Sequence, residues 1–285
     1  MSIYSLSGVV LDNAHNAVGD SLPKAYDISG NMVFSLEPMQ LKVMTYNVGS
    51  WYDGSHNVVP ADKDSVYYAL QSGMIQQNNP DIMLMNEYTK NFSKTGRTAK
   101  SLLEQYFPYV REQGGDSDTV VSGRCIASKY PISDYTVRNY TDGGYYYDSC
   151  TITVNSTPIN LIVTHLHWND RNKRSSEIDT ILALANGFDK CIIAGDMNTL
   201  DCRDTDGEDY FLIEKFLNAG YRCANCTSFG FMDTYEDNGW VGCLDNIVVS
   251  SNIEILSAYV DETKLSDSIT DKTDHMPFIA TINIY

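Results

Sequence analysis

The sequence lacks any hydrophobic run that could cross a membrane, because no stretch approaches the roughly 18 apolar residues that a spanning helix needs. Residues 1–10 lack the basic segment and the apolar core of a secretory signal peptide. Internal repeats and low-complexity tracts are absent as well. These absences predict a cytoplasmic protein with no stable membrane association.

Basic residues are also scarce. The 285 residues include 20 Lys and Arg against 37 Asp and Glu, which gives a formal net charge of -17 at pH 7. Proteins that hold nucleic acid tightly need Lys and Arg for their phosphate contacts, so this balance argues against a tight, non-specific nucleic-acid binder. It does not exclude a nuclease, because a bound divalent cation changes the local field.

The 7 cysteines form no complete zinc motif. Cys223 and Cys226 make a single C-x-x-C without a second half, so a loop disulfide or plain thiols are favoured over a zinc site. Cys125, Cys150 and Cys191 lie in apolar, strand-like runs and are expected to be buried thiols. A reducing compartment is therefore the default expectation.

The length and the hydrophobic content of 43% allow one large domain or two modest ones. Residues 1–38 differ from the rest, because they contain short strand-like segments separated by polar turns. We expect them to form a small β appendage, an assembly segment or extra edge strands. Residues 39–285 are expected to form the main domain.

Hydrophobic periodicity predicts strands that alternate with helices along the main domain. The predicted strands are 41–47, 81–87, 119–128, 148–154, 159–165, 191–196, 244–250 and 278–284. The predicted helices are 101–107, 175–185, 208–219 and one that begins at Asp62 or Asp64 and stops before Pro80. The apolar face of this last helix is predicted to carry Val66, Ala69, Leu70 and Met74. Residues 221–242 are predicted to be irregular.

The chain is organised around the stretch 190–199. Residues 191–194 form a short apolar run typical of a buried strand, and Gly195 lets the chain turn sharply. Asp196 and Asn198 follow, and positions i and i+2 of an extended chain face the same way. A carboxylate and an amide would therefore project together from a rigid strand end, where α/β folds tend to place chemistry. The alternative is a plain Asx turn.

Other predicted strands also have polar residues at their ends. Asn47, Glu87 and His165 each end a strand, and Asp245 stands near the start of one. A Glu at the end of an apolar strand is costly unless it is paired or binds a metal. Taken singly, Glu87 could also be a solvated residue that starts a loop, and His165 could be structural.

Taken in order, six polar clusters resemble the motifs of the endonuclease/exonuclease/phosphatase superfamily, the deoxyribonuclease I-like proteins. The clusters are Thr45-Tyr46-Asn47, Asn86-Glu87, Thr164-His165-Leu166, Gly195-Asp196-Met197-Asn198, Leu244-Asp245-Asn246-Ile247 and Asp274-His275. The resemblance covers about 41–285. It implies a four-layer α/β sandwich, with two mixed β-sheets face to face, helices outside and a site at one rim where strand ends converge.

The resemblance also implies a role for each matching residue. Those implied to bind or support the metal are Asn47, Glu87 and Asp274, and those implied to be catalytic are His165, Asp196, Asn198, Asp245 and His275. Asp245 would orient His275, which would act as a general base or phosphate stabiliser. The implied cofactor is Mg²⁺, with Mn²⁺ as a second choice, because hard divalent cations prefer oxygen ligands and stabilise charge on a phosphoryl group.

The implied function is a metal-dependent phosphoesterase that hydrolyses phosphodiester bonds, with a nuclease acting on nucleic acid as the leading hypothesis. A sphingomyelinase-like or inositol-phosphate phosphoesterase of the same fold is the alternative, since His165 fits that reading equally well. A catalytically dead binding or assembly module is a third hypothesis, which the presence of Glu87, Asp196 and His275 opposes. The departures from the family pattern leave the substrate open; they are Asn86, Thr273, Asn246 and the run 167–170.

Overall fold

The structure is a computed structural model that describes residues 9–12, 24–27, 32–35, 38–49, 64–91, 97–113, 123–140, 145–199, 202, 207–226, 228–237, 239–262 and 274–285. Within these ranges the helices are Asp64–Asn78 (α1), Ala99–Leu103 (α2), Arg171–Ala185 (α3) and Tyr210–Asn218 (α4). None of the described helices is both long and apolar enough to span a membrane.

The strands are Val9–Asp12 (β1), Lys24–Asp27 (β2), Met32–Ser35 (β3), Met39–Asn47 (β4), Ile82–Tyr88 (β5), Tyr109–Gln113 (β6), Gly123–Ser128 (β7), Ile132–Asn139 (β8), Tyr146–Val154 (β9), Thr157–His165 (β10), Cys191–Asp196 (β11), Arg222–Cys223 (β12), Tyr235–Asp237 (β13), Trp240–Gly242 (β14), Asp245–Val249 (β15), Ile253–Val260 (β16) and Phe278–Ile284 (β17). Strands β1 to β3 form an antiparallel sheet within residues 1–38, where short strands were expected. The domain boundary at residue 38 stays a prediction.

Two six-stranded sheets form most of the chain after residue 38. The β4 sheet has the strand order β16-β17-β4-β5-β7-β6, and the β10 sheet has the order β12-β15-β11-β10-β9-β8. Each sheet contains one parallel pair, β4 with β5 and β10 with β11, whereas its other neighbours are antiparallel. This arrangement confirms the predicted sandwich of two mixed sheets.

Side chains alternate between the two faces of each central strand, and both faces are covered. On β10, Leu161 and Val163 belong to the core between the sheets, whereas Ile162 belongs to the core under α3 and α4. A third core, which includes Met83 on β5, lies under α1 and α2. Because successive residues of a strand point to opposite sides, the result is a layered order of helix, sheet, sheet and helix.

Helix α3 forms largely as its periodicity predicts. Ile178 and Ile181, three residues apart on one face of the helix, are fully buried. The helix begins earlier than predicted, at Arg171, because the Asp170 side chain accepts hydrogen bonds from the backbone N–H groups of Asn172 and Lys173 at 3.0 and 3.2 Å. An Asp in this N-cap position satisfies two donors that the helix itself leaves unpaired.

The apolar face predicted for α1 is partly wrong. Val66 is 51% exposed, whereas its neighbour Tyr67 is fully buried. Gln71 and Ile75 are buried in the same row, one and two turns further along the helix. Burial of a large aromatic ring removes more apolar surface from water than burial of a valine. The helix is therefore oriented so that the face with Tyr67, Gln71 and Ile75 packs on the sheet. The alternative start at Asp62 lies outside the described residues.

The edge strands of both sheets were not predicted. They are β6 and β16 on the β4 sheet, and β8 and β12 on the β10 sheet. Most residues of β8 and many of β16 are partly or fully exposed, so these strands lack the apolar alternation of a half-buried strand. The hairpin of β13 and β14 lies in the region that was predicted to be irregular, and residues 119–122 of one predicted strand lie outside the described residues.

All seven cysteines are buried thiols, and none forms a disulfide in the structure. Burial was predicted for Cys125, Cys150 and Cys191 and is confirmed. Cys223 and Cys226 are also thiols, which agrees with one of the two alternatives that the sequence favoured over zinc.

The close packing of backbone and side-chain atoms around Gly195 on β11 can be tested by substitution. Its φ of +146° is a conformation that side chains rarely adopt, and a Cβ there would lie 1.8 Å from the Thr164 carbonyl oxygen and 2.9 Å from Asn86 Oδ1. Strained backbone costs about 1–3 kcal/mol, and the clash adds to it. We therefore expect Gly195→Ala to lower the free energy of unfolding by more than about 2 kcal/mol.

Urea unfolding followed by circular dichroism measures this change. Gly73→Ala is the matched control, because Gly73 lies within α1 and a Cβ there would meet nothing within 4 Å. The control should be neutral or should stabilise the protein by up to about 1 kcal/mol. Equal losses of stability in the two variants would contradict the proposed close approach at Gly195.

Candidate active site

The candidate site lies at one end of the apolar core between the two sheets. On β5, β10 and β11, the inward-facing apolar residues Leu84, Val163 and Ala194 are each followed two positions later by a polar residue. These polar residues are Asn86, His165 and Asp196. Because side chains repeat their direction every second residue, the same alternation that fills the core brings the polar groups to its rim.

The strand registers bring the ends together. Asn47 pairs with Asn86 across the parallel strands β4 and β5, and His165 pairs with Asp196 across β10 and β11. Parallel strands that are in register end at the same edge of a sheet. Asp245, at the start of the antiparallel strand β15, also pairs with Asp196 and so lies at the same rim.

The Asn86 side chain links the two sheets at this rim. Its amide nitrogen donates to the Thr164 carbonyl oxygen at 2.7 Å, and its Oδ1 accepts the Asp196 backbone N–H at 2.9 Å. Asn86 is fully buried, so both bonds form away from water. The sequence marked Asn86 as part of a motif and as a departure from the family's usual residue, whereas the structure shows that it connects β5 to β10 and β11.

The Asp196 carboxylate lies at the centre of the site and is 1% exposed. Its Oδ2 accepts a hydrogen bond from Asn47 Nδ2 at 3.1 Å and lies 3.4 Å from His165 Nε2 and 3.4 Å from His275 Nε2. Burial raises the pKa of the Asp196 carboxyl, and the two imidazoles oppose that rise. The structure therefore brings together four of the predicted residues around one carboxylate oxygen.

Asp245 and His275 form a buried pair beside Asp196. His275 Nδ1 lies 2.8 Å from Asp245 Oδ2, and Asp245 is fully buried. Burial alone would lower the pKa of the His275 imidazole, but the carboxylates of Asp245 and Asp196 outweigh it and raise the pKa to about 10. The environment thus favours the protonated imidazolium, which donates at both ring nitrogens.

A break in the regular strand brings Glu87 into the site. The residue after Asn86 would point away from the other sheet in a regular strand, but the register of β5 against β7 shifts between Asn86 and Tyr88. Glu87 has a φ of +50°, and its Oε1 accepts a hydrogen bond from Asn47 Nδ2 at 3.1 Å. The bulge therefore turns Glu87 toward the inner face.

The donor groups fit a hard divalent cation. Burial raises the pKa of the Asp274 carboxyl, His275 opposes the rise and the negative charge of Glu87 adds to it, which is a repulsion that a bound cation would relieve. Asn47 turns its amide nitrogen toward Glu87, because its Oδ1 accepts the Gly49 N–H at 3.1 Å. Among the described residues, no group of three or more His, Cys, Asp or Glu side chains is placed to hold a metal ion. Mg²⁺ is usually held by one or two carboxylates, with waters and substrate phosphate completing its shell, so an open site suits it.

Asn198 forms the Asx turn that the sequence left open as the alternative reading. Its backbone N–H donates to Asp196 Oδ1 at 2.9 Å, which is an Asx turn, and its φ is +50°. Its side-chain nitrogen donates to the Leu166 carbonyl oxygen at 2.7 Å. Asn198 therefore holds the segment that follows His165 against the segment that follows Asp196, and its amide nitrogen does not point at the Asp196 carboxylate.

Two residues near the site were not identified from the sequence. The Thr234 hydroxyl accepts the N–H groups of Leu244 and Asp245 at 3.1 and 2.9 Å, and so fixes the start of β15. Arg124 is 2% exposed, with its guanidinium carbon 4.1 Å from the centre of the Tyr146 ring. A charged residue within an apolar strand is the one local signal that could have marked Arg124, whereas nothing in the sequence marks Thr234.

Comparisons with known proteins bear on the fold and the family of the chain. The family model described as the Endonuclease/Exonuclease/phosphatase family matches residues 44–275, whereas a comparison with curated proteins found no match. The endonuclease/exonuclease/phosphatase from Beutenbergia cavernae DSM 12333 has 14% identity and a TM-score of 0.63, with 86% of this chain and 72% of that chain covered. The family protein from Bacteroides thetaiotaomicron has 15% identity and a TM-score of 0.62, with 87% and 96% covered. D. rerio TDP2 complexed with single strand DNA product has 13% identity and a TM-score of 0.62, with 86% and 99% covered.

The raised pKa of His275 predicts how stability depends on pH without added metal. The native imidazole keeps its proton up to about pH 10, whereas in the unfolded chain it has an ordinary pKa of 6.5. The stabilisation is fully present below the unfolded pKa and is lost as the pH rises through the folded pKa. We expect urea unfolding in EDTA to show a free energy that falls across this window, and His275→Gln to flatten the fall. Parallel pH profiles for the variant and the wild type would refute the assignment.

Proposed function

The chain belongs to the endonuclease/exonuclease/phosphatase family, and on that premise we propose that it is a metal-dependent phosphodiesterase that acts as a nuclease. Membership assigns it to a family of phosphoesterases that generally use divalent metal ions. The observation that carries the proposal is the buried Asp196 carboxylate between two imidazoles, with Glu87 and Asp274 beside it. Such a site presents a proton acceptor, proton donors and cation ligands on one rim.

Glu87 and Asp274 would hold the cation, with Asn47 fixing Glu87 through its hydrogen bond. When bound, a divalent cation neutralises charge on the phosphoryl oxygens and orients the substrate. Mg²⁺ is the proposed ion, and Mn²⁺ is a second choice with the same preference for oxygen ligands.

The proposed roles of the other residues follow from their surroundings. Burial raises the pKa of the Asp196 carboxyl, which makes it a better acceptor for a proton from the attacking water. His275, whose pKa is raised to about 10, is suited to donate a hydrogen bond to a phosphoryl oxygen rather than to act as a base. His165 keeps 15% of its side chain exposed and would protonate the leaving oxygen.

The choice of a nucleic acid as substrate rests on the solved relative that holds a single strand DNA product, because the histidine at position 165 fits a lipid phosphodiesterase equally well. The low content of Lys and Arg implies weak, salt-sensitive affinity. We therefore propose a nuclease that binds short single-stranded segments through the site itself rather than along a basic groove, with little preference for abasic sites.

A substrate panel tests this proposal directly. Purified protein with Mg²⁺, or with EDTA, would be assayed on single- and double-stranded DNA, RNA, sphingomyelin, inositol phosphates and bis(p-nitrophenyl) phosphate. We expect Mg²⁺-dependent hydrolysis, with the highest kcat/KM on a nucleic acid. A much higher kcat/KM on sphingomyelin or an inositol phosphate would overturn the choice of substrate and keep the phosphoesterase assignment.

The role of Glu87 gives a quantitative prediction. Glu87→Gln removes a charged ligand, and metal stabilisation is worth several kcal/mol, so kcat/KM at low Mg²⁺ should fall by about 10²–10³-fold and recover partly at high Mg²⁺. Isothermal titration calorimetry should show weaker Mg²⁺ binding. Glu104→Gln is the matched control, because that side chain is 53% exposed on the surface beside α2. Near-wild-type turnover of Glu87→Gln at low Mg²⁺ would show that Glu87 does not bind the metal.

A further inference from the structure

The loop that follows His165 presents a tryptophan to solvent. Trp168 is 66% exposed, although it comes only three residues after the site histidine. Leu166, next to that histidine, is fully buried, so the chain passes from the core to the surface within two residues. A single exposed ring is common on protein surfaces, so the features that distinguish Trp168 are its place beside the site and the way its loop is held.

The loop backbone is fixed by buried charged residues. Arg174, which is 6% exposed, donates from Nη1 to the carbonyl oxygens of His167 and Trp168 at 3.1 and 3.3 Å. The other end of its guanidinium pairs with Asp209 Oδ1 at 2.8 Å. Glu177, which is 2% exposed, accepts the His167 backbone N–H at 2.8 Å. Charge-assisted bonds of this kind hold a loop in one conformation.

A row of rings connects this loop to the site. The Tyr145 ring lies 6.2 Å from the His165 ring, edge to face, and 4.8 Å from the His167 ring. Lys173 Nζ lies 3.4 Å from His167 Nε2, at the far end of the row. Aromatic and cationic groups therefore run outward from the histidine that lies beside Asp196.

We propose that Trp168 is a stacking platform for the nucleobase next to the scissile phosphate. Its fixed backbone lowers the entropy cost of presenting the ring, and a base has a flat π-face of matching size. The inference rests on the proposed nuclease function and deepens it, because it names single-stranded nucleic acid with an intact base as the substrate.

The setting of Trp168, rather than the charge of the protein, favours a base over a membrane as its partner. The net charge of -17 opposes contact with anionic lipid and with nucleic acid alike and does not distinguish them. A single tryptophan on a loop that buried Arg174 and Glu177 hold by hydrogen bonds differs from the continuous apolar face by which helices bind to membranes. Binding of Trp168 to a phospholipid surface is the competing outcome of the test.

The test compares two substrates of equal charge. One is a thymidine tetranucleotide, and the other is the same backbone with tetrahydrofuran units in place of every nucleoside, so that it has phosphodiesters and no bases. Because base stacking on an aromatic residue is worth about 5- to 150-fold in binding, wild-type kcat/KM should favour the thymidine substrate by that factor. Trp168→Ala should abolish the preference by slowing the thymidine substrate alone, and Trp168→Phe should keep most of it.

Trp240→Ala is the matched control, because Trp240 is 68% exposed on the hairpin of β13 and β14. It should leave both rates unchanged. Equal losses on both substrates in Trp168→Ala, or an equal effect of Trp240→Ala, would overturn the stacking role. Wild-type cleavage of both substrates at one rate would overturn stacking and leave the phosphodiesterase intact, whereas cleavage of neither substrate would overturn the nuclease proposal as well.

A binding measurement separates stacking from catalysis. The tetranucleotide should quench the tryptophan fluorescence of the wild-type protein in EDTA, and Trp168→Phe should remove the quenching, whereas Trp240→Phe should retain it. A shift of fluorescence with sphingomyelin–phosphatidylcholine vesicles, lost in Trp168→Phe and absent with the oligonucleotide, would assign the residue to lipid and contradict the proposal.

Discussion

The structure depends on the burial of one carboxylate, that of Asp196. Removing an ionised carboxylate from water is costly unless donors surround it, and here Asn47, His165 and His275 lie within 3.1 to 3.4 Å of Oδ2. These donors come from strands of both sheets or from the residues just before a strand. The strand ends of the two sheets must therefore lie side by side, so the geometry of the candidate active site and the stability of the fold depend on the same contacts.

The Asn86 amide and Gly195 make this arrangement possible. Asn86 joins the β4 sheet to the β10 sheet by binding both the Thr164 carbonyl oxygen and the Asp196 N–H. Any side chain at position 195 would collide with that carbonyl oxygen. Close approach of backbone atoms therefore shapes the site as much as side chains do. Asp196, its central residue, depends on Gly195, because no Cβ fits at that position.

Much of the site could be predicted because its signals are local. Asp196 follows an apolar run and a glycine, and His165 ends a strand whose alternation is visible in the sequence. The bulge that turns Glu87 inward is set by pairing with β7, and the contact of Thr234 with β15 joins residues that are 11 positions apart. Tertiary packing also decided the orientation of α1, since the burial of Tyr67 outweighs that of Val66. Edge strands such as β8 were missed because one side of each has no neighbouring strand and an apolar pattern is weak there.

The hydrolysis of bis(p-nitrophenyl) phosphate with Mg²⁺ by Asp196→Asn tests the central claim most directly, because this change keeps the shape of the side chain and removes its charge. If Asp196 organises the proton chemistry, the rate should fall by about 10²–10⁴-fold. The urea midpoint at neutral pH should fall, because the buried His275 imidazolium loses one of the two carboxylates that stabilise it. A folded Asp196→Asn protein that hydrolyses the substrate at close to the wild-type rate would contradict the account.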